Sequence, residues 1–200
     1  GILLGALISL GLGSHIITFI ELPLTRTLGP EFHLKTLSPS EGFINYMKIT
    51  LLAGVIISCP WAFYQIWKFI AAGLYNNEKK TVYMGVVLCS ILFIAGALFF
   101  MFVVAPICLR FFFGFDRRLG FESGWTFREY TSFITSLMLV FGLAFQTPAA
   151  IYVTCRTGLL QVKSLQNARK YILLSAFIVS AFATPPDVIS QVSLAVPVYI

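Results

Sequence analysis

The sequence predicts an all-α, polytopic membrane protein: six transmembrane helices with proline kinks, the sixth cut short, in one membrane-embedded domain over residues 1–200. Three observations lead there. Of 200 residues, 58 % are apolar and only 11 % charged, with a mean hydropathy of +0.88. A soluble domain carries about 25 % charged residues because its surface faces water, and 14 basic plus 8 acidic side chains cannot cover this chain. A disordered chain, which needs low hydrophobicity and high net charge, is excluded by the same figures. The charges are also segregated, leaving six apolar blocks, and a helix needs about 20 apolar residues to cross a hydrocarbon core of about 30 Å. Finally, Pro60, Pro106, Pro148 and Pro197 lie in or beside the blocks. Each removes a backbone hydrogen bond and bends its helix, so a concave body is expected.

The first block, Gly1 to Ile20, holds His15 as its single titratable side chain. A secretory signal peptide would be apolar and N-terminal too, but it carries a basic leading region. Five further blocks follow, so the block is read as a membrane helix, and a cytoplasmic N-terminal leader is expected to be missing. Glu21 to Lys48 is a turn-rich connection containing Ser38-Pro-Ser-Glu41. Ser38 suits a helix cap, Pro39 a first turn, and Glu41 sits three residues on, which predicts a second helix starting near Pro39. Its apolar block runs from Ile49 to Trp67, and the short connection Ala71 to Lys80 ends in Asn76-Asn-Glu-Lys-Lys80.

The third block is Thr81 to Leu109, followed by a mixed-charge connection from Arg110 to Glu129. Tyr130 to Cys155 is the fourth, with a short basic connection, Arg156 to Lys170, after it. Tyr171 to Pro186 and Val188 to Ile200 form the last two, joined at Pro185-Pro186-Asp187 in what must be a tight helical hairpin. Lysines and arginines divide evenly between the two sides, but they are denser in the two shorter loops, where Glu78 is the sole acid. The positive-inside rule therefore places the Asn76 to Lys80 loop in the cytoplasm.

A polar group inside hydrocarbon is costly unless paired, so each is a candidate site. Gln65 and Gln146 qualify, and Gln146 lies two residues before Pro148. Its amide serves either to hold helices together or to carry function, and Pro148 frees a backbone carbonyl that it either satisfies or leaves open; the residues alone leave both readings open. Cys59, Cys89, Cys108 and Cys155 stand alone as small apolar groups. His15 and His33 are too isolated for a metal site, so no metal or other cofactor is expected, and no nucleophile, phosphate-loop or dinucleotide motif is present.

Phe69-Ile-Ala-Ala-Gly-Leu-Tyr75 with Glu78-Lys-Lys80 resembles the first cytoplasmic loop of the TatC family, the receptor subunit of the twin-arginine (Sec-independent) protein translocase. Phe141 to Pro148 resembles its fourth helix, Thr184 to Gln191 its last extracytoplasmic turn, and Ser38 to Phe43 its first. The resemblance implies a non-enzymatic subunit that binds twin-arginine signal peptides and helps export folded proteins using the proton-motive force. It puts the signal-peptide-binding positions on Phe69 and Glu78, and further polar functional positions on Gln146 and Asp187. It also implies small single-span partners of the TatA and TatB type, with self-association possible and no nucleic acid. The expected location is the plasma (inner) membrane of a prokaryote with the N-terminus cytoplasmic, a plastid thylakoid membrane being the alternative.

Three departures from the family pattern stand out. The family's N-terminal cytoplasmic segment with its second acid is not in this sequence; Ala72 replaces a usual proline; and Gln146 stands where many members have glutamate. Glutamine cannot ionise, which leaves a hydrogen-bonding role at that position. The competing reading is a secondary transporter or channel for a small solute. Such proteins show inverted repeats or midplane acids, and neither half of this chain supplies them.

Overall fold

In the computed structural model the described residues are 9, 11, 13–29, 34–71, 79–120, 124–156, 169–183 and 188–199. They form helices α1 (Gly13–Leu28), α2 (Glu41–Ala71), α3 (Lys79–Phe99), a π-helical turn (Phe100–Val104), α4 (Ala105–Leu119), α5 (Phe127–Ala144), α6 (Thr147–Arg156), α7 (Arg169–Ala183) and α8 (Val188–Tyr199). Because α3 runs through the π-turn into α4, and α5 is separated from α6 only by two turn residues, these make six helical rods, as the apolar blocks predict. No strand occurs among the described residues. Three rods are long and apolar enough to cross a membrane: Glu41–Ile66, Gly85–Leu119 and Phe127–Tyr152. The described parts of α1, α7 and α8, at 16, 15 and 12 residues, are shorter than that.

Two connections turn out to be largely helical. Glu21 to Leu28 continues α1, with Pro23 inside it. The Arg110 to Glu129 connection is mostly α4, which runs ten residues past the apolar block and stops at Gly120. There the backbone turns left-handed (φ 76°) and the glycine N–H closes on the Arg117 and Asp116 carbonyls. Only glycine takes that conformation without a Cβ penalty, so it ends the helix. Charge density at Arg110–Arg118 looked like a loop, yet arginine and leucine are good helix formers.

Proline acts differently from site to site. Pro106 is the second residue of α4, and the π-turn immediately precedes it, with the Ala105 N–H reaching back five residues to the Phe100 carbonyl. Widening the turn relieves the clash between a proline ring and the carbonyl four residues earlier. Pro148 follows the two-residue break after α5, while Pro60 sits inside an unbroken α2.

Backbone contacts divide the chain into two units, Gly1–Ala62 with Phe99–Met138, and Phe63–Leu98 with Leu139–Ile200. In the first, Ile20, Leu24, Ile49, Phe100, Met101, Leu109, Tyr130, Ile134 and Leu137 form the buried centre. Tyr130 donates its hydroxyl to the Ile20 carbonyl (2.7 Å), which ties α1 to α5, and Ser9, ahead of α1, donates to the Thr50 carbonyl of α2 (2.5 Å). An apolar cavity of about 300 Å³ lies among His15, Ile16, Phe19, Leu52, Ile56 and Met138. The second unit packs Cys89 and Ala149 with Phe63 and Val86. In it α7 and α8 lie side by side, as the predicted hairpin requires, and Gln191 donates to the Phe177 carbonyl (3.3 Å).

Candidate functional site

Four positions carry the sequence-based site, and the described residues reach them unequally. Phe69 lies in the last turns of α2, its side chain outside the described part. Glu78 and Asp187 also fall outside the described residues; they directly precede the first residues of α3 and α8, Lys79 and Val188. Gln146 is described in full.

Gln146 sits in the break between α5 and α6. Its backbone N–H closes on the Leu143 carbonyl (3.0 Å), a three-residue turn, and its own carbonyl accepts the Ala150 N–H (2.9 Å) to start α6. Of the partners the sequence leaves open, the side chain does not take a carbonyl near Pro148. Its Nε2 donates instead to the Cys89 carbonyl of α3 (2.8 Å), 57 residues away in sequence. A neutral amide thus bridges two membrane helices, at a depth where a charge would be far costlier.

Two glycines make that approach possible. A Cβ on Gly96 would sit 2.6 Å from the Phe141 carbonyl oxygen and 2.8 Å from Phe145 Cγ, and one on Gly142 would sit 2.7 Å from the Phe93 ring. Phe63 meets Phe93 edge-on at 6.0 Å. Small residues let membrane helices close to backbone contact, and interhelical hydrogen bonds then hold them. Nothing in the local sequence marks Gly96 or Gly142 for this role, because the contact depends on the partner helix.

A second polar constellation lies where α2 and α5 begin. Helix α2 starts at Glu41, two residues after Pro39, and Ser38 bonds to the Ser40 hydroxyl (3.0 Å) rather than capping. Glu41, only 7 % exposed, accepts the Leu37 N–H at Oε2 (2.7 Å) and the Arg128 N–H of α5 at Oε1 (2.9 Å). The reciprocal capping box forms instead at α5: Glu129 N–H donates to Thr126 Oγ1 (3.2 Å) and Thr126 N–H to Glu129 Oε2 (3.4 Å). Thr126-Phe-Arg-Glu129 has the sequence signature for it. Lys35 completes this end, its N–H donating to the Trp125 carbonyl and its carbonyl accepting the Phe127 N–H.

The comparisons with known proteins agree with one another. The family model for TatC, Sec-independent protein translocase protein, matches residues 1–197. The Campylobacter jejuni Sec-independent protein translocase protein TatC is 36 % identical over 193 residues, which cover 96 % of this chain and 78 % of that protein. The Aquifex aeolicus protein of the same description is 36 % identical over 201 residues, covering 98 % and 81 %. A crystal structure of the twin-arginine translocase receptor TatC in DDM superposes with a TM-score of 0.87 at 34 % identity, covering 99 % of this chain and 88 % of that one. On this evidence of sequence and fold, the chain belongs to the TatC family and is a membrane-embedded component of the Sec-independent protein translocase.

Proposed function

We propose that this chain is the core receptor of its translocase, binding twin-arginine signal peptides at its first cytoplasmic loop and helping to move folded cargo across the membrane with the proton-motive force. The supporting observation is the likeness, along 99 % of the chain, to a solved twin-arginine translocase receptor. The subunit acts by binding and conducting, not by catalysing a covalent step. Its setting is the inner membrane of a prokaryote with the N-terminus cytoplasmic, and its partners are single-span subunits of the TatA and TatB type.

Glu78 is the reader of the arginine pair in this proposal. It is the sole acid in the two basic cytoplasmic loops, and a guanidinium fork meets a carboxylate through two parallel hydrogen bonds. Phe69 supplies an apolar contact beside it. Gln146 and Asp187 serve later, as polar groups that hold or engage helices during transport.

The test is photo-crosslinking of the full-length protein to a twin-arginine signal peptide. Glu78→Gln should reduce crosslinking about tenfold, since a hydrogen bond to a charged group contributes about 1.5–3 kcal/mol. Phe69→Ala should reduce it less. The Glu78-dependent part should also shrink as salt rises, because exposed charges are screened. Undiminished crosslinking to the Glu78→Gln protein sinks the site assignment.

A further inference from the structure

The rod that α3, the π-turn and α4 form is longer than the membrane has room for. The continuous rod Gly85–Leu119 has 35 residues, which at 1.5 Å each run about 52 Å. The hydrocarbon core is about 30 Å thick, and about 40–45 Å with both headgroup layers. The excess lies at the α4 end, because the apolar block stops at Leu109 and Arg110 follows. An internal ruler agrees. Phe113 stacks on Trp125 with centroids 5.2 Å apart, and Trp125 directly precedes Thr126, which caps α5. Phe113 is therefore level with the start of α5, and the six residues after it project about 9 Å further.

That projecting end is not dressed for water. Phe111, Phe115 and Leu119 follow at four-residue spacing, so they share one helix face, and they are 48 %, 53 % and 56 % exposed. Arg118 borders this stripe, while Arg110 and Arg117, seven residues apart, share the side of the helix turned away from it; all three are exposed. On the other side, Phe112 and Phe113 are fixed against Trp125 and Phe133. The aromatic stack holds the helix end in place while the stripe and the arginines face outward.

We propose that the end of α4 is an interfacial foot that rests in the headgroup layer and binds anionic phospholipid, on the membrane side where α2 and α5 begin. A basic amphipathic helix with aromatic and leucine side chains on its apolar face lies at this depth. One guanidinium group beside that face, Arg118, and two on the side turned away from it, Arg110 and Arg117, give the helix end the exposed cations that lipid phosphate pairs with. The charge pattern selects lipid over an acidic or apolar protein partner, because the apolar stripe and the cations occur together, as acyl chain and headgroup do. These residues belong to a different segment of the sequence from Phe69 and Glu78, so the proposal does not rest on the signal-peptide reading.

The experiment uses the intact protein in nanodiscs of phosphatidylcholine doped with brominated lipid. Trp61→Phe, Trp67→Phe and Trp125→Phe remove the three native indoles, and Phe115→Trp places a single reporter on the stripe. Brominated phosphatidylglycerol should quench it at least about threefold more than brominated phosphatidylcholine at the same fraction, each arginine near an anionic surface contributing about 1 kcal/mol. Replacing Arg110, Arg117 and Arg118 by glutamine should remove the preference. Native mass spectrometry of the unaltered protein gives a second reading that needs no reporter: phosphatidylglycerol should be retained over phosphatidylcholine, and less so after the three arginine changes. Equal quenching by both lipids, a preference that survives loss of the arginines, or a reporter that neither lipid quenches would overturn the proposal. The last outcome would assign the stripe to water or to a protein partner.

Discussion

Two polar anchors hold this protein, one in each unit, and they use opposite chemistry. At the start of α2 and α5 the anchor is a carboxylate: Glu41 gathers backbone N–H groups from Leu37 and from Arg128, 87 residues away. At the α5–α6 break it is a neutral amide, Gln146, reaching the Cys89 carbonyl. Depth decides the difference. Helix N-termini present unpaired N–H groups and a partial positive charge, which favour an anion near water. Inside an apolar block the same anion would lose its hydration without enough donors to replace it, so an amide takes its place.

If that contrast is right, losing the carboxylate is the largest single effect to be expected. Glu41→Ala strands two donors that each contribute about 1.5–3 kcal/mol as bonds to a charged group, so a loss of about 3 kcal/mol is expected. Glu41→Gln, which keeps one acceptor oxygen, should lose about half of that. Thermal unfolding in detergent reads both, with Glu129→Ala as the comparison, because Glu129 makes one long bond within its own cap. A Glu41→Ala midpoint no lower than that of Glu129→Ala would remove the idea that this carboxylate ties two helices.

In the second unit the glycines, more than the amide, set the cost of disturbance. Gly96→Ala drives a methyl group against the Phe141 backbone oxygen, which cannot step aside. Overpacking of this kind costs about 1–3 kcal/mol, and the upper end is expected. Gly142→Ala meets the Phe93 ring, a side chain that can turn, and should cost less. Gly114→Ala opens onto empty space in α4 and should gain about 1 kcal/mol from helix propensity alone. The ordering of the three midpoints is the measurement, and a harmless Gly96→Ala would mean that α3 and α5 are not in backbone contact.

What the sequence made legible follows from the same physics. Apolar blocks are set by bilayer thickness, so six of them became six rods, and the resemblance carried by Phe69–Tyr75 and Phe141–Pro148 led to the TatC family. Helix ends were less legible. Ser38-Pro-Ser-Glu41 has the letters of a capping box, yet Glu41 turns to α5, whereas Thr126-Phe-Arg-Glu129, inside a connection of mixed charge, makes the box. Local letters specify what a side chain is able to do; which partner it takes depends on a helix that arrives 87 residues later. The Gln146–Cys89 bridge and the Gly96 contact belong to the same class, since both exist only once α3 and α5 are packed. The length of α4 is illegible for another reason: charge marks the end of the hydrocarbon and not the end of a helix.

Gln146→Leu tests the neutral anchor alone. Interhelical hydrogen bonds within membranes average about 0.6 kcal/mol, and the Cys89 carbonyl keeps a place in its own helix. The expected loss is thus about 1 kcal/mol or less, well below the Glu41→Ala effect. Export of a folded twin-arginine reporter separates glue from function. If stability falls slightly and export is kept, Gln146 is a fastener; if export is lost while the midpoint barely moves, its polarity is needed during transport.

The smallest effect sharpens the comparison most, because it asks whether polarity or pairing matters near the first anchor. Thr131 lies one turn beyond Arg128 in α5, fully buried, and its hydroxyl has no hydrogen-bond partner among the described residues. Its backbone carbonyl accepts the Thr135 hydroxyl (2.6 Å). An unpaired buried hydroxyl carries a desolvation penalty that an apolar group of the same shape avoids. Thr131→Val preserves the shape and the β-branch, so a gain of about 0.5–1 kcal/mol is expected, with no change in signal-peptide crosslinking. A loss of 1 kcal/mol or more would show that the hydroxyl has a partner after all. Glu41 would then be one member of a wider polar network at the start of α2 and α5, and its own substitution should be non-additive with Thr131→Val.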